Sequence, residues 1–353
     1  MTGVQTCALP IYEVDQSMVD TVVEVCVKNY NLVGEYYQLK RQLLGIEELT
    51  HYDRYAPSAD EQLRISVDEA KQIVLEAYGE FSPELAKRAE LFFSKYWIDA
   101  APKAGKQGGA YCMKVTPNLH PYIFMNYTGS LRDVTTLAHE LGHGVHNLLA
   151  NQQNILNYGS VLPMAETAST FGEMLVFEKL LSRIESPQQK LRLISSQIEG
   201  TIAAVFRQIA MFRFERVVHQ LRRQQGEQSV ETYCGLWQET QQEMFGDSLQ
   251  LGEDHKWWWL YIPHVFQAAF YVYSYAFGEL LVRSLYAQYR REKESFIPKS
   301  FDLLSAGGST SPSELVSNMG FDISNPDFWQ SGCDLIRQQV EQAKQIYRNL
   351  NYK

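Results

Sequence analysis

The chain has 353 residues, of which 45% are hydrophobic and 21% charged, with a formal net charge of -9. This is enough sequence for one large domain or two ordinary ones with a sizeable core. The acidic balance and scattered basic residues argue against a nucleic-acid surface, because phosphate binding needs clustered Lys and Arg. No apolar run reaches the roughly 18 to 20 residues that would span a bilayer, so no membrane partner is expected. Cys7, Cys26, Cys112, Cys234 and Cys333 are far apart, odd in number and matched by no pairing motif. That favours a reducing compartment, hence a cytoplasmic address, over a disulfide scaffold.

In chain order, residues 1–11 (MTGVQTCALPI) read unlike the rest, with Gly3, Cys7 and Pro10 interrupting a short mixed run. They resemble the conceptual translation of a sequencing adapter, so the native reading starts at Tyr12 and the true N-terminus is expected to be missing. From there the pattern predicts helices over 14–44, 68–78 and 83–95, the last two separated by Gly79 to Ser82. Residues 103–127 break the pattern. Gly105, Gly108 and Gly109 precede two Tyr-, Val- and Ile-rich runs flanking Thr116-Pro117-Asn118, which predicts a hairpin of a small sheet. A capped helix then starts near Leu131, since Ser130-Leu131-Arg132-Asp133 fits the S-x-x-D pattern. Ser186-Pro187 opens a helical stretch towards Gln225 that Gly226 ends, and residues 230–245 form another stopped by Gly246-Asp247. Ser311-Pro312 and Asn325-Pro326 open two more. No repeat or linker is visible, so residues 12–353 read as a single mainly α domain carrying a small β-hairpin.

The run His139-Glu140-Leu141-Gly142-His143 lies on the capped helix. Histidines at i and i+4 share a face and can bind one tetrahedral zinc ion. Glu140, beside the first of them, can act as base toward a water on the metal without occupying a ligand position. The competing reading is a helix with two buried structural histidines. Gly142 and Gly144 count against it, since glycines inside a helix cost about 1 kcal/mol each relative to Ala and suggest the close approach of another element. His146 is a poor third ligand, because one short helix cannot surround an ion. The pattern H-E-x-x-H-x-x-G-x-x-H is absent, as it would need Gly at His146 and His at Leu149. Glu166 is the better choice, on a helix opened by Pro163 with small neighbours that permit close packing. Glu173, two turns on, is placed to orient a ligating imidazole. A plain surface carboxylate stays open for both. Further on, positions 264, 268, 271 and 275 predict one helical stripe bearing His264, Tyr271 and Tyr275, suitable donors to an oxyanion or else an aromatic core stripe. Trp257-Trp258-Trp259 reads as packing or a rim contact.

These stretches resemble the oligoendopeptidase F family, within the thimet-oligopeptidase-like zinc peptidases. The resemblance is carried by Asn126-Tyr127-Thr128-Gly129 leading into TLAHELGHGVH (136–146), AETASTFGE (165–173), Ile262-Pro263-His264 with FYVYSYA (270–276), and LLSAGGS (303–309). It implies a mostly helical, zincin-like fold with a deep channel and one zinc per chain held by His139, His143 and Glu166. It further implies a general base at Glu140, carbonyl donors at His264 and Tyr275 with Tyr271 as a further candidate, and cleavage of short peptides. Substrate pairing through Phe124 to Tyr127 and a mobile loop at Gly105 to Ala110 belong to the same expectation. Family members are longer, which implies a missing N-terminal wall and an exposed apolar surface where it packed.

The function expected is therefore a zinc-dependent endopeptidase with short peptides as its partners. One alternative is a metallocarboxypeptidase of similar build, which needs a basic group for the substrate's C-terminal carboxylate, and none is evident in the sequence. The other is a silent zinc-holding binding protein, against which the intact Glu140 argues.

Overall fold

Serines placed just ahead of the apolar-periodic runs begin the helices. Ser66, Ser130, Ser229 and Ser311 each accept a backbone N–H three residues on, satisfying a donor that the first helical turn leaves without a partner. The computed structural model describes residues 13–56 and 64–351, and the adapter-like segment 1–11 lies outside the described residues. In chain order the helices are α1 (Gln16–Lys28), α2 (Asn31–Leu44), α3 (Val67–Phe81) and α4 (Pro83–Ser94). Strands β1 (Ile98–Asp99), β2 (Tyr111–Met113) and β3 (Tyr122–Phe124) follow. Then come α5 (Leu131–Ala150), α6 (Leu162–Ala165), α7 (Thr167–Arg183), α8 (Pro187–Ala204), α9 (Phe206–Gln225) and α10 (Val230–Phe245). A 3-10 turn over Glu253–Tyr261 leads to α11 (Pro263–Gln267), α12 (Tyr273–Glu292), α13 (Phe296–Ser305), α14 (Pro312–Asn318) and α15 (Pro326–Asn351).

The fold is mainly α with one small three-stranded sheet, as the residue pattern predicts. Two predicted helices are interrupted. The first stretch breaks at Asn29, whose side-chain amide donates to Val25 O at 2.9 Å and to Gln330 Oε1 at 2.8 Å. The stretch after Pro187 breaks at Val205 (φ -104, ψ -77), a fully buried residue. The hairpin around 116–118 is present as β2 and β3, paired antiparallel with Cys112 opposite Ile123. The parallel strand β1 beside β3 has no sequence signature, since two residues are too few to show a period.

The described residues group into two compact units: 13–56, 194–280 and 324–351 in one, 64–193 and 281–323 in the other. The first has a core of Trp237, Phe214, Phe245, Phe277 and Trp329, with a fully buried Lys40 whose ammonium donates to Glu199 Oε1 at 2.7 Å. The second packs α5 against α7, with α3 against both of them and α4 against α5. Exposed large apolar side chains concentrate in residues 96–122 of the second unit (Tyr96, Tyr111, Met113, Val115, Leu119, Tyr122) and in 257–275 of the first. Among the described residues no helix is long and apolar enough to cross a membrane.

Candidate metal centre

The Ser130 hydroxyl and the Asp133 carboxylate form a reciprocal capping box that starts α5. Asp133 also accepts the Thr128 N–H and hydroxyl at 2.8 and 2.7 Å, tying the incoming loop to the helix start. With the start fixed, His139 and His143 follow on one face two and three turns in. Both helical glycines are explained by close approach. A Cβ on Gly142 would stand 2.5 Å from the Ala168 carbonyl oxygen and from Ser169 Cα. One on Gly144 would meet the Phe92 ring at 2.3 Å, and one on Gly172 of α7 would meet the Tyr78 hydroxyl. That hydroxyl donates to Ala138 O at 2.6 Å, so α3 locks both helices.

Glu166 does not lie inside a helix. It occupies the break between α6 and α7 (φ -84, ψ 0), and the Ser169 hydroxyl donates to its Oε2 at 2.9 Å. The structure brings His139, His143 and Glu166 together. The two Nε2 atoms are 3.1 Å apart, and Glu166 Oε2 is 3.2 Å from the first and 3.4 Å from the second. A tetrahedral zinc with bond lengths of about 2.0 to 2.2 Å has ligand–ligand edges of about 3.3 to 3.6 Å. The triangle is therefore close to one face of that tetrahedron, and two imidazoles with one carboxylate are a donor set suited to zinc.

The electrostatics point the same way. Burial alone would lower His139, yet Glu166 and Glu173 overcome it and raise the imidazole to about 10. Burial likewise opposes ionisation of Glu166, but the two imidazoles hold it well below the ordinary carboxylate range. The cluster thus favours one positive charge among its donors, which is what a bound cation supplies. Glu173 Oε1 lies 2.5 Å from His139 Nδ1, where it fixes ring orientation and leaves Nε2 directed to the triangle. His146 turns elsewhere. It is buried, its Nε2 is 3.0 Å from the Ser160 hydroxyl, and burial followed by the His143 charge lowers it to about 4.

Glu140 is 5% exposed, and its Oε2 has no hydrogen-bond partner among the described residues. Burial raises its pKa above the ordinary carboxyl value, against the pull of both imidazoles. It lines a cleft arm of about 400 Å³ together with Ala110, Cys112, Lys114, Asn147 and the three clustered donors. A second arm shares Ala110, His139 and Glu140 and runs past Asn126, Arg132 and Asp133. Sequence reasoning missed Cys112, Lys114, Asn147 and Ser160, which carry no motif. It also missed Ser169, although a serine three residues after a carboxylate at a helix start is a recognisable local pair.

One expectation changes here. Phe124 cannot offer its backbone to a peptide, because β3 is the central strand, paired with β1 on one side and β2 on the other. Met125 and Tyr127 already donate to Asp99 O and Ala100 O. Among the described residues the edge strands are β1 and β2, and β2 is the one whose Tyr111 and Cys112 line the cleft. The loop expected to be mobile at 105–110 makes hydrogen bonds to the sheet: Lys106 Nζ donates to Asp99 O, Ala101 O and Met125 O at 3.0, 3.1 and 2.6 Å, and Asn126 donates to Gln107 O at 2.8 Å.

In the other unit, His264, Tyr271 and Tyr275 do not form a stripe on one helix. The helix breaks after Gln267, Phe270 takes a left-handed conformation (φ 59), and α12 starts at Tyr273. The buried Glu215 carboxylate stabilises this turn by accepting the Phe270 N–H at 2.8 Å. The turn still brings the three together. The His264 and Tyr271 rings stack at 5.4 Å, and the Tyr275 hydroxyl is 3.3 Å from His264 Nε2. Trp258 packs on His51 at 5.1 Å, while Trp257 is exposed.

Oligopeptidase PepF of Bacillus subtilis is 28% identical over 342 residues, covering 96% of this chain and 51% of its own length. An oligoendopeptidase F homolog of Borreliella burgdorferi is 28% identical over 340 residues, covering 95% of this chain and 57% of its own. The chain thus spans about half the length of the curated relatives it matches. Among solved structures, a putative peptidase from Chlamydophila abortus superposes with a TM-score of 0.87 at 24% identity, over 94% of this chain and 56% of that one. Oligoendopeptidase-F from Enterococcus faecium gives 0.75 at 21% identity, over 97% and 55%. The profile of peptidase family M3 matches residues 10–335, and the chain belongs to that family.

Proposed function

We propose that residues 12–353 form the catalytic part of a zinc-dependent oligopeptidase that cleaves short peptides internally. The observation that carries the reading is the triangle of His139 Nε2, His143 Nε2 and Glu166 Oε2 with the Glu140 carboxylate on the same cleft wall. These three residues would hold the ion, which when bound supplies Lewis acidity toward a water molecule and a peptide carbonyl. Glu140 takes the proton of the attacking water and returns it to the leaving amine. Its buried, poorly solvated carboxylate suits both directions of transfer. Glu173 keeps His139 in the tautomer that presents Nε2. The free edge of β2 offers backbone groups to an extended peptide. His264 and Tyr275, paired in their own unit, are assigned as hydrogen-bond donors to the substrate carbonyl oxygen, with Tyr271 stacked behind the imidazole. A cytoplasmic site of action belongs to the same proposal and is supported by the free thiols of Cys26, Cys112 and Cys234.

The test is cleavage of short peptides by the full-length enzyme, with and without a chelator, beside Glu140→Gln. The expected result is loss of cleavage on chelation, recovery with zinc, and a fall of about 10²- to 10⁴-fold in Glu140→Gln at unchanged zinc content. Cleavage that persists with chelator and in Glu140→Gln would refute the mechanism.

A further inference from the structure

Lys114 follows β2 directly and lines the cleft arm that holds the metal triangle. Its ammonium is set against the main chain of the 154–160 loop. A Cβ on Gly159 would stand 2.7 Å from Nζ, so the ammonium fills the space a side chain there would need, and the Tyr158 ring centroid is 5.7 Å away. That loop is itself held in place. Gly308 N donates to Asn157 O at 2.8 Å, and a Cβ on Gly308 would stand 2.4 Å from Gly159 O, which gives the Gly307-Gly308 pair a structural reason.

What the ammonium lacks is a counter-ion. Among the described residues no carboxylate forms an ion pair with it. Partial burial lowers its pKa, with only the Cys112 thiol pulling the other way. The other ionisable groups lining this arm are committed. Glu166 faces the two imidazoles, Glu140 is buried beside them, and His146 is held neutral against Ser160. An exposed cation set against the 154–160 main chain, with no carboxylate partner on the wall of this cleft, gains when the incoming ligand brings an anion.

We propose that Lys114 forms a subsite for a carboxylate of the bound peptide, at the end of the β2 edge. The carboxylate can be an acidic side chain or the peptide's C-terminus; both present the same group to the ammonium. The proposal rests on the reading of the cleft as the peptide site and deepens it by naming a specificity-determining residue.

The experiment is binding of short fluorescein-labelled peptides to zinc-loaded Glu140→Gln protein, followed by anisotropy so that no turnover intervenes. Three matched peptides are used: neutral and amidated, amidated with one Glu placed in turn along the sequence, and neutral with a free C-terminus. The expected result is about three- to tenfold tighter binding of one anionic peptide, weakening as salt rises and lost in Lys114→Met. Lys114→Glu should turn the preference toward the same peptide bearing Lys. Preference for the Glu peptide identifies a side-chain subsite, and preference for the free carboxylate identifies a C-terminal one. Equal binding of all three, or a preference that survives Lys114→Met, overturns the proposal while leaving the cleft reading intact. No binding of any peptide overturns the cleft reading and the proposal with it.

Discussion

The metal triangle and the His264–Tyr275 turn both gather functional side chains, and they are built by opposite means. In the first, two long helices are pressed together until no room for a Cβ remains at Gly142, and the Tyr78 hydroxyl bonds the Ala138 carbonyl beneath the donors. Many contacts determine the position of each donor. In the second, a five-residue helix ends in a left-handed Phe270, and one buried carboxylate, Glu215, satisfies the backbone of the turn. A site held by packing tolerates the loss of a single polar contact. The turn has local backbone hydrogen bonds and the packing of Phe270 on Phe212, but its left-handed residue depends on the Glu215 contact, so it is more sensitive to a single polar loss.

The largest expected effect tests whether the turn matters to chemistry at all. Tyr275→Phe in the full-length enzyme should lower kcat by about 10²- to 10³-fold, with KM and zinc content little changed. Unchanged kcat would remove Tyr275 from the donor set and leave the comparison purely structural. Next comes the carboxylate beneath the turn. Burial raises Glu215 from 4.5 to about 7. A carboxyl raised in the folded state contributes stability that is fully present below about 4.5 and lost as pH rises through about 7. Denaturant unfolding should therefore show about 3 kcal/mol less stability at pH 8 than at pH 4 from this group. Glu215→Gln should flatten that part of the profile, and an identical profile in the variant would show that Glu215 is not the titrating group.

The packed site is tested by Gly142→Ala, which places a methyl group against the Ala168 carbonyl. Overpacking of this kind should cost about 1 to 3 kcal/mol and weaken zinc binding, because α5 and α7 must separate. Equal thermal stability and zinc affinity in the variant would mean that the helices are not locked. The smallest effect belongs to Glu173→Gln, read by zinc titration against a competing chelator. Removing the charge behind His139 should weaken zinc by about 10- to 100-fold while the fold is unchanged.

How much was legible in the sequence differs between the regions for the same reason. On α5 the helical period runs without a break from the Ser130 cap, so His139, Glu140 and His143 could be placed from spacing alone. Gly142 and Gly144 announced close packing before any partner was known. On 264–275 the same arithmetic assumed a continuous helix, and the chain broke it at Phe270. The signal for that break lies in Glu215, fifty-five residues earlier, and no local pattern connects the two. The pairing of Phe124 failed in the same way, because which strand is central depends on β1, a two-residue strand defined only by its neighbour.

The sequence by itself determined what is local and periodic: the mainly α class, the hairpin around Pro117, the capped helix, and the residue types able to bind zinc and move a proton. Only the tertiary structure decided how the Glu166 carboxylate meets the two imidazoles, which strand of the sheet is central, and which lysine in the cleft has no carboxylate partner. The physical reason is reach. Caps and helical periods act over one or two turns, whereas a shared ion, a sheet edge and an unpaired charge depend on distances between side chains far apart in the chain.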